Sequence, residues 1–208
     1  PLVAQASPPV CLGSFNLQTC CVASITQRSD HTVCRWWSTV APMPDPIRLT
    51  VCQASLAKYR LPVWQALAAL PDLRFTLHYS DDGHVPNVQP VGIHASFFPS
   101  SRLLKRPELW RHPYFVSSID PARCDACVLP WNTRFLSLYP AMFRARRRRV
   151  GLIYHGHGYS NLERGLPARL RDFTGRYPNA ILVYSQRGKE RLLARGYAET
   201  RVFVPPNA

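Results

Sequence analysis

Regular patterns of apolar and polar positions begin near residue 47 and recur, with loops between them, towards the C-terminus. The apolar and β-branched run Ile47–Cys52 predicts a strand buried on both faces. Pro62 suits the first turn of a helix. The segment that follows it carries one apolar stripe at helical spacing, formed by Val63, Trp64, Leu67 and Leu70. A loop over Gln53–Leu61 joins the two elements.

Further strands and helices follow in turn. We predict strands over Arg74–Tyr79, Asp125–Pro130, Val150–Tyr154, Ala180–Tyr184 and Arg201–Val204. We predict helices within Ser101–Trp110 and over Leu138–Arg147, Leu162–Tyr177 (begun or kinked at Pro167) and Ser185–Ala194. Ser185 suits the N-cap of the last helix, and Gly196 suits the position after its end. The segment Asp81–Ser101, rich in proline and glycine, predicts a long loop and a candidate lid.

The alternation of strands with helices predicts a fold class. Parallel strands joined by right-handed crossovers form an α/β sheet flanked by helices, so we expect a Rossmann-like domain over residues 47–208. Residues 1–46 show no sustained period of two or 3.6 and predict a disordered N-terminal extension. The first methionine is Met43, so we hypothesise that the natural chain starts there. A signal peptide is disfavoured, because no basic segment precedes one continuous apolar run.

Charge and cysteine content narrow the functional classes. The chain of 208 residues has 26 basic and 12 acidic side chains, which favours phosphate-bearing partners. No apolar run is long enough to span a bilayer. The chain has seven cysteines, an odd number, and they are scattered along the sequence. This disfavours a disulfide framework and favours a reducing compartment. Cys124 and Cys127 have the spacing of a zinc knuckle but lack a second pair, so we interpret them as ordinary strand-edge cysteines and expect no metal.

The residues Val150–Ser160 carry the strongest indication of a site. An apolar run ends in His155, Gly156, His157 and Gly158, where a predicted strand reaches its carboxyl end. Ligands bind at that end of α/β sheets, glycine allows close backbone approach, and histidine can donate, accept or carry charge. Two turn histidines beside strand-ending glycines are the plainer interpretation. Because no G-x-G-x-x-G or Walker sequence is present, dinucleotide and P-loop binding are disfavoured.

Two basic groups add to this picture. Lys58, Tyr59 and Arg60 follow the first strand and are expected at the same sheet edge as the histidines, although each alone suits a surface turn. Arg144 and the run Arg146, Arg147, Arg148 and Arg149 end a predicted helix, where cations complement the helix dipole. The functional alternative for the run is contact with anionic lipid headgroups. Nucleic acid is less favoured, because no zinc-finger or aromatic RNP motif is present.

Several motifs together resemble one known family. They are the loop Leu56–Pro62, the strand end Ile153–Gly158, Tyr184–Ser185 followed by Gly188–Glu190, and the ending Val202–Asn207. In order and spacing they resemble the N-terminal, acceptor-side domain of GT-B glycosyltransferases, specifically the retaining family 4. Many relatives carry a glycine pair in the first loop. This chain has none, which weakens the case for backbone contact with the donor phosphate there.

The resemblance implies transfer of a sugar from a nucleotide-sugar donor to the hydroxyl of a glycan or lipid-linked acceptor, with retention and without metal or cofactor. It implies that His157, or alternatively His155, faces the donor sugar beside Gly156 and Gly158, and that Lys58, Tyr59 and Arg60 lie near the acceptor. The family's second domain is not found before Ala208. We therefore expect a truncated transferase, inactive alone, in the cytoplasm or peripheral on the inner face of the membrane. The alternative is a basic module for anionic membrane or nucleic acid built on a Rossmann-like core.

Overall fold

The computed structural model describes residues 45–105, 108–159 and 165–205, so the extension predicted over residues 1–46 lies outside the described residues apart from its last two. Within these ranges the strands are β1 (Ile47–Gln53), β2 (Leu73–Tyr79), β3 (Ala95–Phe97), β4 (Ser101–Lys105), β5 (Glu108–Arg111), β6 (Ala126–Pro130), β7 (Gly151–Gly156), β8 (Ala180–Val183) and β9 (Val202–Phe203). The helices are α1 (Leu61–Ala68), α2 (Tyr114–Ser117), α3 (Leu138–Arg148), α4 (Leu166–Thr174) and α5 (Gln186–Leu193).

Seven of the strands form one parallel sheet in the order β3-β2-β1-β6-β7-β8-β9. This confirms the predicted α/β, Rossmann-like fold. The chain builds outward from β1 in one direction and from β6 in the other, so the direction of winding reverses between these two strands. At such a switch point the loops leave the sheet in opposite directions and open a crevice at the carboxyl ends of the strands.

Alternate side chains of the central strands form two cores on opposite faces of the sheet. On β1, Val51 packs with Trp64 of α1, whereas Cys52 belongs to the core formed with α2, α3 and α5. The second core is the larger, and its largest fully buried side chains include Tyr114, Phe115 and Tyr154. Because both faces of the central strands are buried, their sequences are nearly continuous apolar runs.

The helix ends follow the expected local chemistry. The Ser185 hydroxyl accepts a hydrogen bond from the Gly188 N–H at 3.1 Å, as an N-cap does. Gly196 takes a φ of +83° after α5, and its N–H donates to the Leu193 carbonyl. Helix α4 begins at Leu166 with Pro167 in its first turn. Of the two alternatives for Pro167, the start of the helix is therefore the one observed.

The helix predicted within Ser101–Trp110 is wrong. This segment forms an antiparallel hairpin, β4 with β5, in which Leu104 pairs with Leu109. The Trp110 N–H donates to the Arg134 carbonyl, and its carbonyl accepts from the Leu136 N–H. Pairing with a segment distant in sequence therefore determines the extended backbone, and no local period records such a contact.

The long loop predicted over Asp81–Ser101 also contains a strand. The three residues of β3 extend the sheet beyond β2, with Leu77 opposite Ala95 and Tyr79 opposite Phe97. A run this short has no detectable periodicity, which is why the sequence pattern missed it. The role of this segment as a lid stays a prediction.

Candidate functional site

The His-Gly-His-Gly segment lies at the carboxyl end of β7. His155 and Gly156 are the last two residues of the strand, and His157 and Gly158 begin the turn beyond it. Gly158 has a φ of +74°, a backbone conformation that side chains with a Cβ rarely adopt. The glycine therefore lets the chain turn sharply just after His157.

The two histidines have different environments. The His155 ring is largely enclosed, with its centroid 6.3 Å from that of Trp64 and 4.7 Å from that of Tyr184. Burial, together with the nearby Arg60 and His157, lowers the pKa of His155 to about 4. His155 is therefore neutral near pH 7. His157 is exposed, and its ring packs on Tyr184 at a centroid distance of 4.4 Å.

Arg60 links the loop after β1 to the end of β8. Its Nη2 donates to the Tyr184 hydroxyl at 2.9 Å, and its Nη1 donates to the side-chain carbonyl of Gln53. Its guanidinium carbon lies 5.4 Å from the centre of the Tyr59 ring. Burial raises the pKa of the Tyr184 hydroxyl, which stays protonated near neutral pH. The Arg60 guanidinium is therefore linked to both histidines through Tyr184.

The structure separates the predicted acceptor-side residues. Arg60 turns inward to Gln53 and Tyr184, whereas Lys58 and Tyr59 face solvent, Tyr59 with 70% of its surface exposed. Gly156 packs against Trp131, since a Cβ placed on it would lie 3.6 Å from the Trp131 Cβ. The roles of these residues in binding donor or acceptor stay predictions.

Sequence reasoning assigned no site role to the two polar residues that organise the cluster, although Tyr184 belongs to one of the motifs of the family resemblance. Gln53 ends β1 and is fully buried, and Tyr184 directly follows β8 and contacts both histidines. Both occupy the position that marks ligand-proximal residues in α/β sheets, the carboxyl end of a strand. Their position at a strand end could have marked them as candidates in the sequence. It does not show which side chains contact each other in the fold.

A second polar cluster surrounds Glu108 at the same edge of the sheet. Its Oε1 accepts from the Trp110 indole N–H at 3.1 Å and lies 3.2 Å from His84 Nε2 and 3.5 Å from Arg102 Nη1. The Trp110 hydrogen bond, with the nearby His84 and Arg102, lowers the pKa of Glu108. Glu108, His84 and Trp110 border a cavity of about 70 Å³. The sequence analysis assigned no role to this cluster.

The arginine run lies away from the histidines. Arg146, Arg147 and Arg148 end α3, and Arg149 follows with a φ of +58°. All four are exposed, and they precede β7, which places them at the amino edge of the sheet. Contact of this run with a membrane stays a prediction. No helix in the described ranges is both long and apolar enough to cross a bilayer.

The predicted strand-edge cysteines are buried in the centre of the molecule. Cys124 and Cys127 have nearly no exposed surface, and Cys52 of β1 lies in the same core. The Cys124 thiol donates to the Ala126 carbonyl at 3.0 Å. Among the described residues, no group of three or more histidine, cysteine or acidic side chains is arranged to hold a metal ion.

Comparison with known proteins gives matches only at the level of solved structures. No family model and no curated protein matches the chain. It is similar to a UDP-N-acetylglucosamine 2-epimerase (TM-score 0.56, 11% identity, 78% of this chain and 47% of that one). It is also similar to a putative UDP-N-acetylglucosamine 2-epimerase from Listeria monocytogenes (TM-score 0.54, 14% identity, 76% of this chain and 44% of that one). A third similar structure is the UDP-GlcNAc 2-epimerase from Neisseria meningitidis bound to UDP-GlcNAc (TM-score 0.51, 13% identity, 76% of this chain and 46% of that one).

The likeness is one of fold. The chain spans less than half the length of each of these structures. UDP-GlcNAc 2-epimerases share the GT-B fold with glycosyltransferases, so the GT-B part of the expected resemblance is supported. The assignment to retaining family 4 is not supported, since the matched enzymes are epimerases. The fold is therefore the firm conclusion from these comparisons.

Proposed function

We propose that the protein binds a nucleotide-sugar at the carboxyl edge of its sheet and transfers the sugar to an acceptor hydroxyl with retention. The observation that carries the proposal is the exposed His157 beside the Arg60–Tyr184 pair. Among the described residues, no acidic side chain forms an ion pair or hydrogen bond with these three. A nucleotide-sugar presents hydroxyls and a diphosphate, which suit an imidazole and an uncompensated guanidinium.

Each side chain of the cluster has a role in this proposal. His157 meets the sugar hydroxyls, because it is the exposed histidine of the pair. Arg60 supplies positive charge for the phosphates, whose negative charge increases as the bond to the sugar breaks. The neutral His155 packs on the Tyr184 ring, and the buried Gln53 accepts a hydrogen bond from Arg60. These contacts hold Tyr184 and Arg60 in position. Gly156 and Gly158 keep the backbone beside His157 open to the donor, and Lys58 and Tyr59 are available to the acceptor. The nucleotide-sugar is a substrate, and no cofactor enters the proposal.

Epimerisation of a nucleotide-sugar is the second candidate. The likeness to UDP-GlcNAc 2-epimerases favours it. The two reactions share the ligand but differ in stoichiometry. Transfer consumes an acceptor and releases the nucleotide, whereas epimerisation converts the nucleotide-sugar without either. Product analysis by NMR separates them. Acceptor-dependent release of the nucleotide with the anomeric configuration retained supports transfer, and inversion at the sugar C2 without acceptor supports epimerisation.

Binding provides the direct test of the site. Titration of the chain with UDP-GlcNAc, followed by calorimetry, is expected to show saturable binding. Replacing His157 by alanine or Arg60 by glutamine is expected to weaken it about tenfold or more, because each removes a hydrogen bond to a polar or charged ligand group.

His94→Ala is the matched control, since His94 is exposed and precedes β3 at the opposite edge of the sheet. Its affinity should equal that of the unchanged protein. Equal affinities for all three variants would refute the site, and absence of binding by the unchanged protein would refute the ligand class.

A further inference from the structure

Three aromatic rings form an exposed cluster across α3 and α4. Phe143 of α3 is 51% exposed and Phe173 of α4 is 44% exposed. Tyr177 packs between them, with centroid distances of 5.5 Å to Phe143 and 5.2 Å to Phe173. Two half-exposed phenylalanines brought together in this way are a contiguous apolar area, unlike scattered surface apolar residues that need no explanation.

Exposed arginines surround these rings. Arg146 and Arg147 follow Phe143 by three and four positions, which places them on its side of α3. Arg169 precedes Phe173 by four positions, and Arg176 follows it by three. All four arginines are exposed. We call the three rings and these four arginines the aromatic–arginine patch.

The positive charge of the patch is not compensated within its own helices. Among the described residues, α3 carries no acidic side chain and α4 carries only Asp172. The Asp172 carboxylate accepts from the Tyr159 hydroxyl and from Arg195 Nη1 at 3.2 Å, so it is already engaged away from the patch. The helix dipole of α3 accounts for cations at its end, but it does not account for exposed phenylalanines beside them.

We propose that the aromatic–arginine patch docks on the surface of an anionic lipid bilayer. Phenylalanine side chains enter the boundary between headgroups and acyl chains, and guanidinium groups pair with lipid phosphates. Each contact is weak alone, but rings and cations presented on one surface act together. The inference does not depend on the proposed sugar chemistry.

The ring geometry favours a bilayer over a nucleic acid. Proteins that bind single strands offer aromatic faces on which successive bases stack. Here Tyr177 is inclined by 79° to Phe143 and by 63° to Phe173, and it occupies the space between them. Tyr177 therefore shares no common stacking plane with either phenylalanine, which suits insertion among lipids.

Docking through this surface also sets the orientation of the molecule. The ends of α3 and α4 lie at the amino edge of the sheet, whereas His157 lies at the carboxyl edge of β7, a strand of six residues. A strand of this length spans about 20 Å. The histidine cluster therefore lies outside the patch that contacts the bilayer.

Vesicle co-sedimentation with the full chain tests the proposal. We expect binding to vesicles containing about a third phosphatidylglycerol and far weaker binding to phosphatidylcholine alone, with a decrease as salt is added. The double variant R146Q/R147Q should lower the partition coefficient about tenfold or more, because each basic residue near an anionic surface contributes measurably. F143S/F173S should lower it as well, although it leaves the charge unchanged.

Matched controls remove equal charge or apolar surface elsewhere. R111Q/R187Q removes two exposed arginines outside the patch, and F97S removes a phenylalanine that is 54% exposed on β3. Both should bind like the unchanged protein, and circular dichroism confirms folding of each variant. Equal binding to both vesicle types overturns the proposal. So does equal loss in control and patch variants, or binding of a single-stranded oligonucleotide that depends on the patch while vesicles are not bound.

Discussion

Acidification from pH 6.5 to pH 4 is expected to destabilise the fold through two buried histidines. Burial lowers the pKa of His112 to about 4, and burial with nearby positive charge lowers that of His155 to about 4, against an ordinary value of 6.5. In this pH range the two histidines bind protons in the unfolded chain but stay neutral in the folded chain. The free energy of unfolding therefore falls as the pH falls. Each histidine contributes on the order of 3 kcal/mol once the pH reaches its folded-state pKa. Urea unfolding measured across this pH range checks the prediction.

His112 offers a matched variant for this prediction. Its ring has no exposed surface, both ring nitrogens lack a hydrogen-bond partner among the described residues, and it packs against Phe115 and Phe135 at centroid distances of 4.9 and 4.6 Å. His112→Phe keeps the ring contacts and removes two unsatisfied polar atoms, so the variant should be as stable or about 1 kcal/mol more stable at neutral pH. It should also lose roughly half of the acid sensitivity.

The exposed His94 provides the control, since His94→Phe should leave the pH profile unchanged. An unaltered acid profile in His112→Phe would contradict the assignment of the effect to His112.

Trp131→Ala is expected to lower the free energy of unfolding by about 3–5 kcal/mol, the usual range for a buried tryptophan. The side chain is 4% exposed and packs on Tyr154 and Tyr159 at centroid distances of 5.9 and 6.0 Å. Its indole N–H donates to the Thr174 hydroxyl at 3.1 Å. The truncation therefore opens a cavity and leaves a buried hydroxyl without its donor. The midpoint of urea unfolding measures the loss.

Trp131→Phe separates packing from hydrogen bonding. It retains an aromatic ring and loses the indole N–H, so we expect a smaller loss of about 1–3 kcal/mol. The slope of the urea transition should stay constant in both variants. A loss below about 1 kcal/mol in Trp131→Ala would show that this end of β6 does not depend on the indole.

The sequence predicted the elements with strong periodicity and missed those that depend on distant partners. The apolar run of β1 and the stripe of α1 correspond to observed elements, because burial on a sheet or helix face leaves a regular pattern. The β4–β5 hairpin depends on backbone pairing of Trp110 with residues near Phe135, and this contact has no local signature. Strong periodicity reports which face of an element is buried, not which segment covers it.

The candidate site was predictable in position but not in arrangement. His155 and His157 follow an apolar run that predicts a strand, so the sequence alone places them at the carboxyl edge of a parallel sheet. The sequence does not show that His155 is enclosed while His157 is exposed, because this difference depends on Trp64 and Tyr184 from other parts of the chain. The bond from Arg60 to Tyr184 likewise joins residues 124 positions apart.

The same reasoning explains why the fold resemblance held and the family assignment is not supported. Glycines after strands and polar residues at strand ends are determined by the backbone geometry of the fold. Enzymes that catalyse different reactions share this geometry. The first-loop motif Leu56–Pro62 and the ending of β7 are of this kind. They indicate a shared fold, and the reaction depends on groups that such motifs do not specify.

The buried cysteines provide a way to measure how often the central strands separate. Cys127 of β6 has no exposed surface, and hydrogen bonding with Cys124 and Cys52, together with burial, raises the pKa of its thiol well above the ordinary value. Thiol reagents attack the thiolate, so Cys127 is protected both sterically and chemically in the folded state. Its modification by an alkylating reagent requires separation of β6 from its neighbours. The rate of that modification, followed peptide by peptide with mass spectrometry, therefore reports how often the centre of the sheet opens.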